Sequence, residues 1–179
     1  MRGWGTAKAS AWLIGVSCLV AGAMTTTAAT ARSARDVPLE YLKGTVSYVT
    51  DGDTLWVRPA EGGAPRKIRI DGIDAPEICQ AWGQRSRTAL AQRVLHRTVA
   101  LKVLRFDDYQ RGLARVSLGR EDVARWMVQE GNAWSYHYRR SAGPYAKEEN
   151  LARSEHRGLF ADPKALRPRE FRVQHGSCE

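Results

Sequence analysis

The sequence predicts an α+β domain in which five short β-strands form a small barrel and three helices pack around it. Two observations support this fold class. Five runs rich in β-branched and aromatic residues are separated by short turn signals. One helical pattern follows the third run, and two more follow the fifth. Because five short strands in an open sheet would leave exposed edges, a closed or partly open barrel is the natural arrangement.

The strands are predicted from alternation and from turns. Asp51-Gly52 is typical of a hairpin turn, and a second turn with Gly and Pro covers residues 61–65. In the third run polar and apolar residues alternate, so Arg69 points away from the apolar face of its own strand. The predicted strands cover residues 41–50, 54–58, 66–71, 98–106 and 112–118.

The helices are predicted from apolar spacing and from start and stop signals. Leu90 and Val94 lie four residues apart in the first helix, Gly131 is a stop signal after the second, and Pro144 suits the first turn of the third. The predicted helices cover residues 83–95, 121–130 and 144–156. The charged, proline-interrupted stretch from residue 162 is expected to be a loosely packed loop.

The N-terminal segment has the pattern of a secretory signal peptide. Arg2 and Lys8 precede an apolar run at residues 11–24, and Ala29-Thr30-Ala31 offers small residues for cleavage. The run is shorter than the roughly 20 residues that a membrane-spanning helix needs. A lipid anchor at Cys18 is the weaker alternative. We therefore expect a periplasmic or secreted protein without membrane attachment after cleavage.

The predicted organisation has four parts. They are a signal peptide at 1–31, a linker at 32–40, the barrel domain at 41–162 and a C-terminal tail at 163–179. The 179-residue chain has a formal net charge of +9. Cleavage removes two basic residues and no acidic residue, so the mature chain stays basic. A basic surface favours polyanionic partners such as nucleic acid.

Two acidic positions form a candidate metal site. Asp53 follows the first hairpin turn, and Asp74 follows the third strand. Carboxylates from two adjacent strand ends can converge on one ion, and oxygen ligands suit Ca²⁺ or Mg²⁺ rather than Zn²⁺. Taken alone, Asp51-Gly52-Asp53 also fits a solvated hairpin turn.

Glu77 is a candidate for handling the attacking water. Pro76 restricts the backbone before it, and so holds Asp74 and Glu77 in a defined relation. With Asp74 on a metal, Glu77 could orient or deprotonate a water molecule. The same stretch also fits a helix start, where acidic residues are favourable.

Arg69 and Arg111 are candidates for binding a phosphate. Planar guanidinium groups bind phosphate oxygens in a bidentate way and stabilise charge that develops on them. In a chain with this many arginines, either one could instead be a solvated surface residue.

Several aromatic residues could stack a nucleobase, which contributes about 1–3 kcal/mol per base. The candidates are Tyr109, Trp134, Tyr136 and Tyr138, with Trp56 as a further possibility. The four histidines lack metal-ligand spacing, and Cys79 has no convincing base partner. The sequence therefore gives no support for catalysis through a Ser or Cys nucleophile.

Cys79 and Cys178 both lie outside the signal segment. Exported proteins meet an oxidising compartment, which favours a disulfide between them. Such a bond would tie the C-terminal tail to the loop just after Glu77. Two free thiols remain the alternative, because spacing alone does not show that the sulfur atoms meet.

Taken together, these residues resemble the staphylococcal thermonuclease (micrococcal nuclease) family. The similarity extends over roughly residues 41–160 and includes four ordered blocks, at 49–54, 69–77, 109–114 and 158–160. Two positions depart from the staphylococcal enzyme: Ala75 replaces a threonine, and Gln110 replaces a glycine before Arg111. The tyrosine pair of that enzyme could match Tyr136 and Tyr138, or Trp134 and Tyr136.

The resemblance implies an OB-fold barrel with three helices and Ca²⁺-dependent hydrolysis of DNA and RNA that leaves 3′-phosphate ends. By position, Asp53, Asp74 and the carbonyl of Ala75 would bind Ca²⁺. Glu77 would act on the water, and Arg69 and Arg111 on the phosphate. We expect a monomer with no stable protein partner. A non-catalytic nucleic-acid-binding module on the same barrel is the alternative, and a secreted structural or adhesion domain is a third possibility.

Overall fold

The computed structural model describes residues 40–138 and 141–178. The predicted signal peptide and nearly all of the predicted linker lie outside these residues. Within the described part of the chain, no helix has the length and apolar character needed to cross a membrane.

Five strands close into a barrel, which confirms the predicted fold class. They lie in the order β3-β2-β1-β5-β6, and each pair of neighbours is antiparallel. Three two-residue strands accompany them: β4, β7 and β8. The strand bounds are β1 Glu40–Val49, β2 Thr54–Pro59, β3 Arg66–Ile70, β4 Ile73–Asp74, β5 Thr98–Phe106, β6 Gly112–Leu118, β7 Glu121–Asp122 and β8 Trp134–Ser135. The five long strands begin and end within about one residue of their predicted limits.

Parallel pairing between β3 and β6 closes the barrel. Ile68 lies opposite Gly112, and Arg69 lies opposite Leu113. A Cβ atom at Gly112 would lie only 3.1 Å from Ile68 Cδ1, so the two strands meet tightly here. The pairing also places Arg69, on β3, beside the start of β6. Strand β6 begins directly after Arg111.

The interior of the barrel is apolar because alternate strand residues point inward. The inward side chains on β2, β3 and β6 include Leu55, Val57, Ile68, Ile70 and Val116, each at most 1% exposed. Helix α1, Gly83–Val94, packs Leu90 and Val94 against this core. A second, smaller cluster contains Trp134, Ala152, Leu159 and Phe160.

The second and third predicted helices are α2, Val123–Gln129, and α3, Ala146–Ser154. Asp122 caps α2 by accepting hydrogen bonds from the N–H groups of Ala124 and Arg125, which is why the helix begins later than predicted. A short 3₁₀ helix, Gly158–Ala161, follows α3.

The C-terminal tail is not a loosely packed loop, so that prediction was wrong. It contains a fourth helix, α4, Pro168–His175. Pro168 suits the first helical turn, and the Glu170 carboxylate accepts a hydrogen bond from the backbone N–H of Arg167 at 3.3 Å. Local capping therefore starts a helix in a segment whose charge and prolines suggested a loop.

Candidate active site

One open cavity of about 390 Å³ at the barrel edge brings together most of the predicted catalytic and metal-binding residues. Its walls come from the β1–β2 turn, strand β3, the stretch after β4, the loop before β6 and helix α4. Asp53, Arg69, Ala75, Glu77 and Arg111 all line it. Asp74 lines the two neighbouring cavities.

Asp53 is buried at the inner end of the cavity and is held by three hydrogen bonds. Its Oδ1 accepts from Arg69 Nη1 at 2.8 Å and from Thr54 Oγ1 at 3.0 Å. Its Oδ2 accepts from the backbone N–H of Ala75 at 3.1 Å. The carboxylate is therefore fixed in one orientation by groups on three separate segments.

Arg69 connects the two predicted metal ligands. Besides its bond to Asp53, it donates from Nη2 to Asp74 Oδ1 at 3.0 Å. The negative charges of Asp53 and then Asp74 raise the pKa of Arg69, although burial acts in the opposite direction. One planar guanidinium group thus holds two carboxylates side by side, a geometry that lysine does not reproduce.

A third carboxylate adds to the negative charge at this site. Asp51 Oδ1 accepts a hydrogen bond from the Asp53 N–H at 3.0 Å. Burial and then the charge of Asp53 raise the pKa of Asp51 to about 7. Burial and the charge of Asp53 also raise the pKa of Asp74 to about 6, against the opposing effect of Arg69 and Arg172. Two of these acids therefore favour their protonated form more than ordinary aspartates do.

The donor set fits a hard cation. Burial and the charge of Asp53 raise the pKa values of Asp51 and Asp74, so a cation that replaces the protons would stabilise the ionised carboxylates. All the candidate ligands are oxygen atoms. Among the described residues, no cluster of three or more Asp, Glu, His or Cys side chains forms a metal cage. A cation bound here would therefore use Asp53 and Asp74 together with backbone oxygen, for which the carbonyl of Ala75, a residue of the cavity wall, is a candidate.

Glu77 lines the same cavity but has a partner that the sequence analysis missed. Its Oε1 accepts a hydrogen bond from Nη1 of Arg172, on helix α4. Gln80 positions the Glu77 backbone, because its Oε1 accepts from the Glu77 N–H at 3.1 Å. Arg172 was missed because the tail was expected to be a loop and gave no motif.

Arg111 is oriented by Asp107, a second residue that the sequence analysis missed. Arg111 donates to Asp107 from its backbone N–H at 2.9 Å and from Nε at 2.7 Å. Burial alone would raise the pKa of Asp107, but hydrogen bonds from Arg111 and its positive charge lower it. Gln110 adopts a left-handed backbone conformation, with φ of 59°, in the turn between them. An Asp four residues before the arginine was the available sequence signal.

The aromatic candidates divide into exposed and buried residues. Tyr109 is 81% exposed, and the Arg111 guanidinium lies 5.3 Å from its ring centroid. Tyr136 and Tyr138 are 46% and 61% exposed and line a groove of about 730 Å³ beside the site. Trp134 is only 1% exposed and packs edge-on against Phe160. Because its ring is enclosed in the second apolar cluster, a nucleobase does not fit on it, and Trp134 is removed from the set.

Cys79 and Cys178 form a disulfide with a Cα–Cα distance of 5.7 Å. The bond joins the loop after Glu77 to the segment after α4, as the sequence analysis predicted. It therefore holds the helix that carries Arg172 next to the cavity.

A small barrel with paired acids, a glutamate and two arginines at one edge is an arrangement suited to phosphodiester cleavage. The family model described as "Staphylococcal nuclease homologue" matches residues 67–162. The chain belongs to the staphylococcal nuclease family. Family membership supports nuclease activity on nucleic acids.

Individual relatives agree with this assignment. An uncharacterized endonuclease of Haemophilus influenzae is 35% identical over 129 residues, covering 72% of each chain. Protein ParB of Escherichia coli is 37% identical over 142 residues, covering 73% of this chain and 79% of the relative. A micrococcal nuclease of Shigella flexneri is 32% identical over 141 residues, covering 73% of this chain and 80% of the relative.

Proposed function

We propose that this protein is a Ca²⁺-dependent nuclease that hydrolyses phosphodiester bonds of DNA and RNA and leaves 3′-phosphate ends. One observation carries the proposal: Arg69 binds both Asp53 and Asp74 beside a cavity that Asp53, Glu77 and Arg111 line. A binding surface alone would have no need for buried paired acids beside a glutamate and two arginines.

Asp53, Asp74 and the carbonyl oxygen of Ala75 would hold the Ca²⁺ ion. When bound, the ion supplies a Lewis acid that polarises the phosphoryl group. The Ala75 N–H bond to Asp53 keeps the Ala75 peptide beside the carboxylates. Asp51 contributes charge to the site and fixes the turn through its bond to the Asp53 N–H.

Glu77 orients a water molecule and accepts its proton as the water oxygen attacks phosphorus. The bond between phosphorus and the 5′ oxygen breaks, and its electron pair leaves with that oxygen. The phosphate then stays on the 3′ side of the cut. Oε1 of Glu77 accepts a hydrogen bond from Arg172, so Glu77 takes up this role by exchanging Arg172 for the water or by accepting from the water at Oε2.

Arg69 and Arg111 bind the non-bridging oxygens of the scissile phosphate. Charge on these oxygens grows in the transition state, so fixed guanidinium donors stabilise it more than the ground state. Asp107 holds Arg111 by two hydrogen bonds, so little reorganisation is needed when the phosphate arrives. Loss of one such donor typically costs about 10²–10³-fold in kcat.

Tyr109, Tyr136 and Tyr138 supply exposed rings on which nucleobases stack without regard to sequence. We also propose that the mature protein is a periplasmic or secreted monomer that acts without a stable protein partner. The disulfide is consistent with an oxidising compartment.

Cleavage of single-stranded DNA by purified mature protein tests the proposal. We expect degradation with Ca²⁺, no degradation with a chelator, and products with 3′-phosphate ends by mass spectrometry. Glu77→Gln should lower kcat by at least about 10²-fold while changing DNA binding little, because its role lies in the transition state. If the protein binds DNA but leaves it intact with Ca²⁺, it is instead a non-catalytic binding module.

A further inference from the structure

Helix α4 lies outside the residues matched by the family model, yet one of its side chains lines the site. Arg172 reaches Glu77 and borders the cavity that contains the acids. Arg172 also lines two cavities together with Asp74. The Arg172 side chain is therefore placed beside both acidic groups.

Four contacts fix α4 in this place. At its N-terminal end, Arg167 Nη2 donates to the buried carboxylate of Glu149 at 2.9 Å, and Gln80 Nε2 donates to the Leu166 carbonyl at 2.6 Å. Pro168 is itself buried. Beyond its C-terminal end, Cys178 is bonded to Cys79. A helix held at both ends is a fixed wall of the site.

Arg172 lies where three cavities meet. It borders the acid-containing cavity, a second cavity of about 280 Å³ with Arg69 and Arg111, and the groove of about 730 Å³. Tyr136 and Tyr138 line that groove together with residues of α4. A strand that runs from the reaction cavity into the groove must therefore pass Arg172.

We propose that Arg172 binds the phosphate next to the scissile phosphate in a single-stranded polynucleotide, so that α4 forms one wall of the strand-binding groove. This inference rests on the proposed function and adds a phosphate subsite to it. Arg172 exchanges the Glu77 carboxylate for the substrate phosphate, which frees Glu77 at the moment the strand arrives. A guanidinium group suits either partner, because both present paired oxygens.

The charge of the groove supports a nucleic-acid strand as the occupant. Three arginines and two acids line the groove: Arg167, Arg169 and Arg172 against Glu170 and Asp74. Basic residues beside exposed aromatic rings are the combination that holds single strands, through phosphate contacts and base stacking together. The side chain of Arg172 is 41% exposed, so it has room to turn from Glu77 to a phosphate.

Binding of a fluorescent single-stranded DNA octamer in chelator tests the subsite without requiring cleavage. Arg172→Ala should weaken binding about tenfold, the usual loss for a hydrogen bond to a charged group. The slope of log affinity against log salt should fall by about 0.7, the value for one phosphate contact on a single strand. Arg120→Ala, at an exposed turn away from the groove, is the matched control and should change neither value.

Cleavage assays with Ca²⁺ then distinguish a contact to the neighbouring phosphate from a contact to the scissile phosphate. The test compares kcat/KM for the octamer with kcat/KM for a dinucleotide that contains a single phosphodiester. Arg172→Ala should lower the octamer-to-dinucleotide ratio about tenfold, because only the octamer has a second phosphate to lose. Arg172→Gln, which keeps side-chain length without charge, should behave in the same way.

Three results would overturn the inference. They are an unchanged salt slope in Arg172→Ala, equal losses on octamer and dinucleotide, or faster cleavage of both substrates, which would mean that Arg172 only restrains Glu77. Failure of the proposed function gives a different result: the wild-type protein would not cleave either substrate, while the binding measurement would still decide the role of Arg172.

Discussion

Arg69 Nη1 donates to Asp53 Oδ1 at 2.8 Å, and this bond ties strand β3 to the β1–β2 turn. The same guanidinium reaches Asp74 at 3.0 Å. The arginine that would bind phosphate is therefore also the group that aligns the two candidate metal ligands, so its position and theirs depend on one another.

Arg69→Lys tests whether these two roles need the planar guanidinium group or only its positive charge. A lysine keeps the charge but does not donate to both carboxylates from one plane. We expect kcat/KM on single-stranded DNA to fall by at least about 10²-fold. Arg66→Lys, whose partner is the exposed Glu40, is the matched control and should retain activity. Near-normal activity of Arg69→Lys would contradict a need for the shared guanidinium.

The raised pKa of Asp51, about 7, predicts how stability changes with pH in the metal-free protein. Asp51 keeps its proton up to about pH 7 in the folded state, whereas in the unfolded chain it loses the proton near pH 4. The contribution of Asp51 to the free energy of unfolding is therefore complete at low pH and falls as pH rises to about 7. In chelator, Asp51→Asn should gain thermal stability relative to wild type as pH rises from 4 to 8. Glu61→Gln, at an exposed turn, should show no such trend.

The same thermal unfolding experiment with Ca²⁺ tests whether these carboxylates contribute to the metal site. A cation competes with the protons on Asp51 and Asp74, so Ca²⁺ should raise the melting temperature more at pH 8 than at pH 5. Equal stabilisation at both pH values would show that these carboxylates do not contribute to the metal site.

Asp107 should affect the cleavage rate through Arg111, although it also accepts a hydrogen bond from the Tyr109 N–H at 3.0 Å. Asp107→Ala removes the acceptor for both the Nε and the backbone N–H of Arg111, and we expect kcat/KM to fall about tenfold. In an Arg111→Ala background, the same change should have little further effect, as a double-mutant cycle measures directly. Additive losses would place Asp107 in an independent role.

Gln110 is expected to cost stability because its φ of 59° crowds its Cβ atom. Gln110→Gly should stabilise the protein by about 0.5–1 kcal/mol in thermal or urea unfolding, after allowing for the greater freedom of glycine in the unfolded chain. Gln92→Gly, the same substitution inside helix α1, should instead destabilise by a similar amount. The opposite signs separate backbone strain from general effects of glycine.

The disulfide should govern the docking of α4 rather than the folding of the barrel. We expect a Cys79→Ser/Cys178→Ser variant to lose hydrogen-exchange protection in α4 while the barrel strands stay protected. Reductant added to the wild-type protein should give the same pattern. Full protection of α4 without the bond would show that Arg167 and Gln80 hold the helix by themselves.

Local chemistry made the barrel predictable from sequence. The alternation around Ile68 and the Asp51-Gly52 turn are patterns of only a few residues, and each determines its strand or hairpin locally. Strand β3 and the β1–β2 hairpin both lie where they were predicted. Asp53, Arg69 and Glu77 lie at or near the ends of these elements, and the pairing of β2 with β3 brings them to one cavity.

The remaining features depend on contacts between distant segments. Arg172 reaches Glu77 across 95 positions in sequence, and no local pattern encodes that meeting. Trp134 looked like its exposed tyrosine neighbours, but packing against Phe160 decides its burial. The α4 helix was hidden because charge and prolines suggested a loop, whereas capping and the disulfide establish a helix.

The parallel pairing of β3 with β6 limits how the sequence of this barrel can evolve. It sets the separation of Arg69 and Arg111 through main-chain hydrogen bonds, which do not depend on which side chains the strands carry. Inward positions then need only be apolar and of suitable volume. Substitutions can accumulate across most of the barrel without moving the two arginines, whereas inserting one residue within β3 or early in β6 would shift them out of step.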